Sequence, residues 1–194
     1  SNGDVAVPRH QVAPGRVSIT YDNSVTPMAP YLFFLCAGTY DTFSREFEYP
    51  DGHRFMLELL VPPGSDPEVA GYALRVLADA ILWVYLFTGP GRYEQADVKE
   101  KIAALSRERD RQKDGGSPPE SLAEIRARLR KMAAEIHPGY RYTGTVYREI
   151  GMQNSDFGGM ENVGNTTITM NRIMPFPQMT DPAFEYMIRV KVHE

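Results

Sequence analysis

Gly158-Gly159-Met160-Glu161-Asn162 is the stretch on which the reading of this 194-residue chain turns. Gly164 follows closely, so the segment is rich in glycine around a single carboxylate. Glycine lets a ligand approach the backbone closely. The carboxylate of Glu161 argues against a phosphate in that position and for a cation, such as a primary ammonium. If the segment is an edge strand, its free N–H and C=O groups can pair with an extended peptide. The residues thus suggest an edge that aligns a peptide backbone, with Glu161 at its charged N-terminus. A glycine-rich bend carrying a solvated glutamate is the other reading of the same letters.

Downstream, Asn165 to Met170 reads as a strand. Asp181-Pro182 then marks a helix start, with aspartate as N-cap and proline at the first helical position. That helix runs through Phe184, Ile188 and Val192 into His193-Glu194, where the sequence ends. Upstream, Thr143 to Ile150 is rich in β-formers.

Residues 1 to about 50 read as strands. Val17, Ile19 and Tyr21 alternate with polar residues, as in a half-buried strand. Tyr31 to Ala37 is a continuous apolar run, the pattern of a fully buried strand. Cys36, the only cysteine, lies in it and is expected to be a buried, inert thiol. Thr42 to Tyr49 and His53 to Val61 flank the turn signal Pro50-Asp51-Gly52, which predicts a hairpin.

A helix is predicted over 65–88, capped by Ser65 with Glu68 as its reciprocal partner. Gly89-Pro90 stops it. Residues 94–137 are dominated by charge. Val98, Ile102 and Leu105 mark one thin apolar stripe, and Leu122, Ile125, Leu129, Met132 and Ile136 mark another. Asp114-Gly115-Gly116 separates them, and Ser117-Pro118-Pro119-Glu120 restarts the helix with a capping box. The expectation is an antiparallel helical hairpin, either a solvated insertion or a docking surface for a partner.

The formal net charge of −4 gives no sign of a general nucleic-acid binder. The most apolar stretch, Ile81–Phe87, is far shorter than the roughly 20 residues that span a bilayer, so no membrane segment is expected. His10, His53, His137 and His193 are the four histidines, and no two have the three-to-five spacing of a local metal pair.

The pentapeptide followed by His193-Glu194, 32 residues after Glu161, resembles the zinc metallo-aminopeptidases of the aminopeptidase N-like family. There a Gly-x-Met-Glu-Asn motif precedes H-E-x-x-H by a similar interval. Met28-Ala29-Pro30-Tyr31-Leu32, the run to Gly38, Arg54 to Val61 and Phe157 add to the likeness, which covers most of 25–93 and 139–194.

The resemblance implies an α+β chain. Residues 1–50 would be the last strands of an N-terminal β-domain. Residues 51–194 would be the first part of a thermolysin-like catalytic domain, with 94–137 an inserted hairpin. It implies that Glu161 binds the α-amino group of a peptide with a free N-terminus, and that Gly158, Gly159, Met160 and Asn162 line the peptide. His193 would be the first zinc ligand, and Glu194 the general base acting on zinc-bound water.

The second histidine, the third ligand and an assisting tyrosine of that pattern are not among these residues. Val163 stands where the family often has an aromatic. The expectation is therefore a fragment, inactive alone, of a zinc aminopeptidase. The alternatives are a non-catalytic scaffold or binding module of the same fold, or a related epoxide hydrolase. Apolar faces left by a missing domain would favour self-association.

Overall fold

A computed structural model of the chain describes residues 1–24, 27–153 and 158–194, and Phe157 lies outside them. Two compact units emerge. The first comprises residues 1–46, 55–77 and 143–194, the second residues 47–54 and 78–142.

The first unit is organised by a mixed sheet of β3 (Asp41–Glu48), β4 (Arg54–Val61), β5 (Val146–Met152), β6 (Gly159–Met160) and β7 (Asn165–Thr169). The strand order is β3-β4-β5-β7-β6, and the ends of β3 and β4 at their shared turn belong to the second unit. β5 is parallel to both β4 and β7, whereas β6 is antiparallel to β7. Phe55, Leu57, Leu59 and Val61 alternate as buried residues along β4, the period expected of a strand with one face in the core. Each such side chain contributes about 1.5–3 kcal/mol on burial.

The predicted hairpin forms. Tyr49 donates its N–H to the His53 carbonyl at 2.8 Å, and Gly52 takes φ 96° in the turn, a region open to glycine. β1 (Asp4–Ala13) and β2 (Arg16–Asp22) make a separate antiparallel pair. Val17 and Ile19 lie on β2 as the alternation required, but they are 54% and 41% exposed rather than half-buried.

The run Tyr31–Ala37 is not a buried strand. Pro30–Leu32 forms a 3-10 turn, and Tyr31, Phe33 and Leu35 are 72%, 61% and 70% exposed. Its backbone is held by a side chain instead of a ladder. Asn2 Nδ2 donates to the Leu32 carbonyl at 3.2 Å, and Phe34 N–H donates to Asn2 Oδ1 at 2.6 Å. Cys36 is half-buried, not sequestered, and shares a 2.9 Å hydrogen bond with the Tyr40 hydroxyl.

Helix α1 (Pro67–Phe87) matches expectation except at its start. Asp66, not Ser65, is the cap: its carboxylate accepts the Glu68 N–H at 2.8 Å, while Ser65 Oγ donates to the Pro62 carbonyl. Pro67 at the first helical position lacks the N–H that would otherwise need a partner there. By length and composition α1 could cross a membrane, which the Ile81–Phe87 segment alone did not suggest; half of its apolar window is buried.

In the second unit, α2 (Ala96–Asp114) and α3 (Pro119–Ala133) pack together, broken at Gly115-Gly116 as predicted. Ser117 does not cap α3. Pro118 takes that position without a side-chain bond, and Ser117 N–H closes the α2 end on the Gln112 carbonyl at 2.9 Å. On α2 the buried stripe is Lys99, Ile102, Ala103, Ser106 and Arg109, rotated away from the apolar marks at Val98 and Leu105. Ile102 is buried as expected, and Arg109 on the same face reaches Glu48. Buried Glu48 is approached by the guanidinium groups of Arg54, Arg126 and Arg109 at 3.1, 3.1 and 4.0 Å, and Arg109 also donates to the Glu48 carbonyl at 2.8 Å. A carboxylate out of water needs such partners.

Two further short-range differences concern the last helices. A single turn, α4 (Met170–Ile173), follows β7. Helix α5 (Asp181–His193) is preceded by Thr180 as N-cap, with Asp181 already its first residue and Pro182 in its first turn. Its buried residues are Met187, Val190 and Lys191, while the expected face of Phe184, Ile188 and Val192 is only half-buried.

The α1 cap gives a direct test by urea denaturation. D66A should lower the unfolding free energy by about 1 kcal/mol. S65A should change it by no more than about 0.5 kcal/mol. The reverse order would restore Ser65 as the cap.

Candidate functional site

The pentapeptide of 158–162 forms the edge of the mixed sheet. Gly159 and Met160 pair with Ile168 and Thr167 of β7, and Thr169 N–H donates to the Gly158 carbonyl at 3.1 Å. Because β6 is the last strand, no other strand pairs with its outer side among the described residues. The condition for peptide pairing at this edge, a free strand flank, is met.

The turn after β6 is held locally. Asn162 N–H donates to the Met160 carbonyl at 2.9 Å, and Asn165 N–H donates to the Asn162 carbonyl at 2.8 Å. Asn162 is buried, so its amide serves the turn: Nδ2 reaches the Met160 carbonyl at 3.4 Å. Glu161 is exposed beside it. Val163 is half-buried, and its carbonyl accepts from Asn2 Nδ2 at 2.8 Å.

Helix α5 delivers the second carboxylate. Glu194 lies directly over Gly159: a Cβ built on Gly159 would stand 2.5 Å from Glu194 Oε1 and 2.6 Å from its Cδ. A side chain at 159 would push the end of the Glu194 side chain aside, so glycine lets the carboxyl lie against the strand. Gly158 is less constrained, since a Cβ there would meet Val190 at an ordinary 4.0 Å.

Burial raises the Glu194 carboxyl above its ordinary value; neighbouring His193 lowers it, and Glu161 raises it again. Glu194 Oε2 is buried with no hydrogen-bond partner among the described residues. The fold therefore gathers Gly159, Met160, Glu161 and Glu194 at one edge, with exposed His193 next in sequence to Glu194.

A zinc site in the complete protein would need ligands besides His193. No group of three or more His, Cys, Asp or Glu side chains able to hold a metal occurs among the described residues. Catalytic zinc sites use three protein ligands, and His193 is a single imidazole, so the residues present do not fit that metal.

Two residues of structural weight near the site were not singled out from the sequence. Lys191, on α5, and Glu149, on β5, are 0% and 1% exposed and are bonded to each other. Lys191 stands four residues after Met187 on the face that packs inward, which the apolar run of Phe184, Ile188 and Val192 did not mark.

No family model and no curated protein matches the chain. Among solved structures, it is similar to Legionella pneumophila aminopeptidase A in complex with aspartic acid, with a TM-score of 0.62 and 18% identity. The match covers 100% of this chain and 17% of that one. At this identity the likeness is one of fold. The chain has an aminopeptidase-like α+β fold, helices combined with a mixed sheet, spanning a small part of that protein's length.

Proposed function

We propose that this chain is part of an aminopeptidase-type peptidase and forms the portion that holds the substrate's N-terminus. The observation that carries this reading is the exposed carboxylate of Glu161 next to a free strand edge, with Glu194 packed on the same strand at Gly159. An incoming peptide would extend along β6 through main-chain hydrogen bonds. Its ammonium group would meet Glu161 and feel the second carboxylate of Glu194.

Hydrolysis of N-terminal residues with zinc is the reaction class proposed for the whole protein, with His193 contributing one ligand and Glu194 the base. The ligands described here do not make a zinc site, so no catalytic step is assigned to them. A second reading is a binding module that holds amine-terminated peptides without cleaving them. The free edge of β6 with the exposed Glu161 carboxylate would serve that role equally well.

The binding role separates cleanly in an amide-resolved NMR titration. A short apolar peptide with a free amine should shift the β6 and β7 resonances, and E161Q should weaken its binding by about tenfold, the scale of a charge-assisted hydrogen bond. The N-acetylated peptide should bind weakly and be indifferent to E161Q. Equal binding of both peptides would remove Glu161 as the amine anchor. Equilibrium dialysis of the chain with zinc should give less than one ion per chain, and an aminoacyl reporter substrate should not turn over.

Glu194 makes a pH prediction. Its folded pKa is raised above the ordinary 4.5, so between that pH and the folded pKa the native chain binds more protons than the unfolded one. The stabilisation belongs to the protonated form. It is present below pH 4.5 and is lost as pH rises through the folded pKa. Chemical denaturation at successive pH values should show this loss in the parent chain and a smaller one in E194Q.

A further inference from the structure

The buried Lys191–Glu149 pair has no role in the peptide edge as described so far. Lys191 lies on α5, and Glu149 lies on β5, the middle strand of the sheet. Glu149 stands in register with Leu59 on one side and Thr166 on the other. The adjacent Arg148 pairs with Glu58 at 2.7 Å, both partly exposed, while Glu149 and its lysine are almost fully enclosed. Leu57, Leu59, Ile168 and Met187 are all 0% exposed, so this unit has ample apolar core without a charge in it.

Stability alone is a poor reason for such a pair. Desolvating two charges cancels much of their attraction, and apolar residues of similar size often replace a buried pair without loss. Geometry is a better one. An apolar stripe such as Met187 and Val190 selects which face of a helix is buried, but it tolerates small rotations and slips. A hydrogen-bonded ion pair holds only within a narrow distance and angle.

Lys191 precedes Glu194 by three residues, which makes the two side chains neighbours on the helix surface. A one-residue slip of α5 would move the Glu194 carboxyl by about 1.5 Å along the axis and turn it by about 100°. The contact with Gly159, already too close for a Cβ, would not survive that change.

We propose that Lys191 and Glu149 are positioning residues that lock the rotation and axial register of α5 on β5, and so hold the Glu194 carboxyl on Gly159 beside Glu161. The use made of Glu194 rests on the peptidase reading. The lock itself does not.

The test is carried out on the 194-residue chain. K191M alone strands a buried carboxylate and should lower the thermal midpoint by on the order of 10 °C. The double variant E149L/K191M should recover the parent midpoint. Its NOE contacts between Gly159 Hα and Glu194 side-chain protons should nevertheless fall at least twofold.

Recovery of stability with those contacts at full strength would overturn the proposal, because packing alone would then place Glu194. E149V/K191L provides a second apolar pair should the first fail to fold. Failure of both to fold would also overturn it, since the pair would then be needed for folding and not for placement. Peptide binding indifferent to E161Q would defeat the functional reading and leave the NOE result standing.

Discussion

Parallel pairing of β5 with β4 and β7 is the constraint from which the rest of the architecture follows. Parallel neighbours cannot be joined by a tight turn; each needs a connection that carries the chain back to the starting end. Between β4 and β5 that connection is long and includes α1, α2 and α3. Between β5 and β7 it is short, and it carries Gly158–Asn162, which folds back as β6 against β7. The glycine-rich motif thus lies at a sheet edge because the return path of a parallel crossover puts it there. Its glycines suit the place, since one of them must accept a carboxylate at sub-contact distance from where a Cβ would be.

Buried charge organises both units in a way that hydrophobic patterning does not. In one, Glu48 draws three guanidinium groups and pulls Arg109 inward. In the other, Glu149 draws Lys191. Both helices bury charged residues beside their apolar ones. α2 buries Lys99 and Arg109 while Val98 and Leu105 are half-covered, and α5 buries Lys191 while Phe184, Ile188 and Val192 are half-covered. Arg109 and Lys191 are each met there by a carboxylate far away in sequence.

That distinction separates what was legible from what was not. The hairpin around Pro50-Asp51-Gly52 and the helix break at Gly115-Gly116 are written in neighbouring residues, and both formed where expected. Caps were legible only to within a residue, because Asp66 and Thr180 compete with Ser65 and Asp181 for the same role a step away. Tyr31–Ala37 misled for another reason. An apolar run resembles a buried strand whether or not anything covers it, and here Asn2 holds the backbone while Tyr31, Phe33 and Leu35 face outward. At the candidate site, the edge character of Gly158–Asn162 could be anticipated from glycine and spacing. The meeting of Glu194 with Gly159 could not, since it depends on how α5 is turned by a lysine and a glutamate 42 residues apart.

The contact between Gly159 and Glu194 joins two distant letters of the sequence into one unit of variation. A methyl group at position 159 would evict the carboxylate, and a shorter side chain at position 194 would uncover bare strand backbone to water. A change at either position is therefore felt at the other, through the side chain of Glu194. Glu194 thus caps one face of β6 at Gly159 and gives the edge its second charge, while the strand itself stays part-exposed.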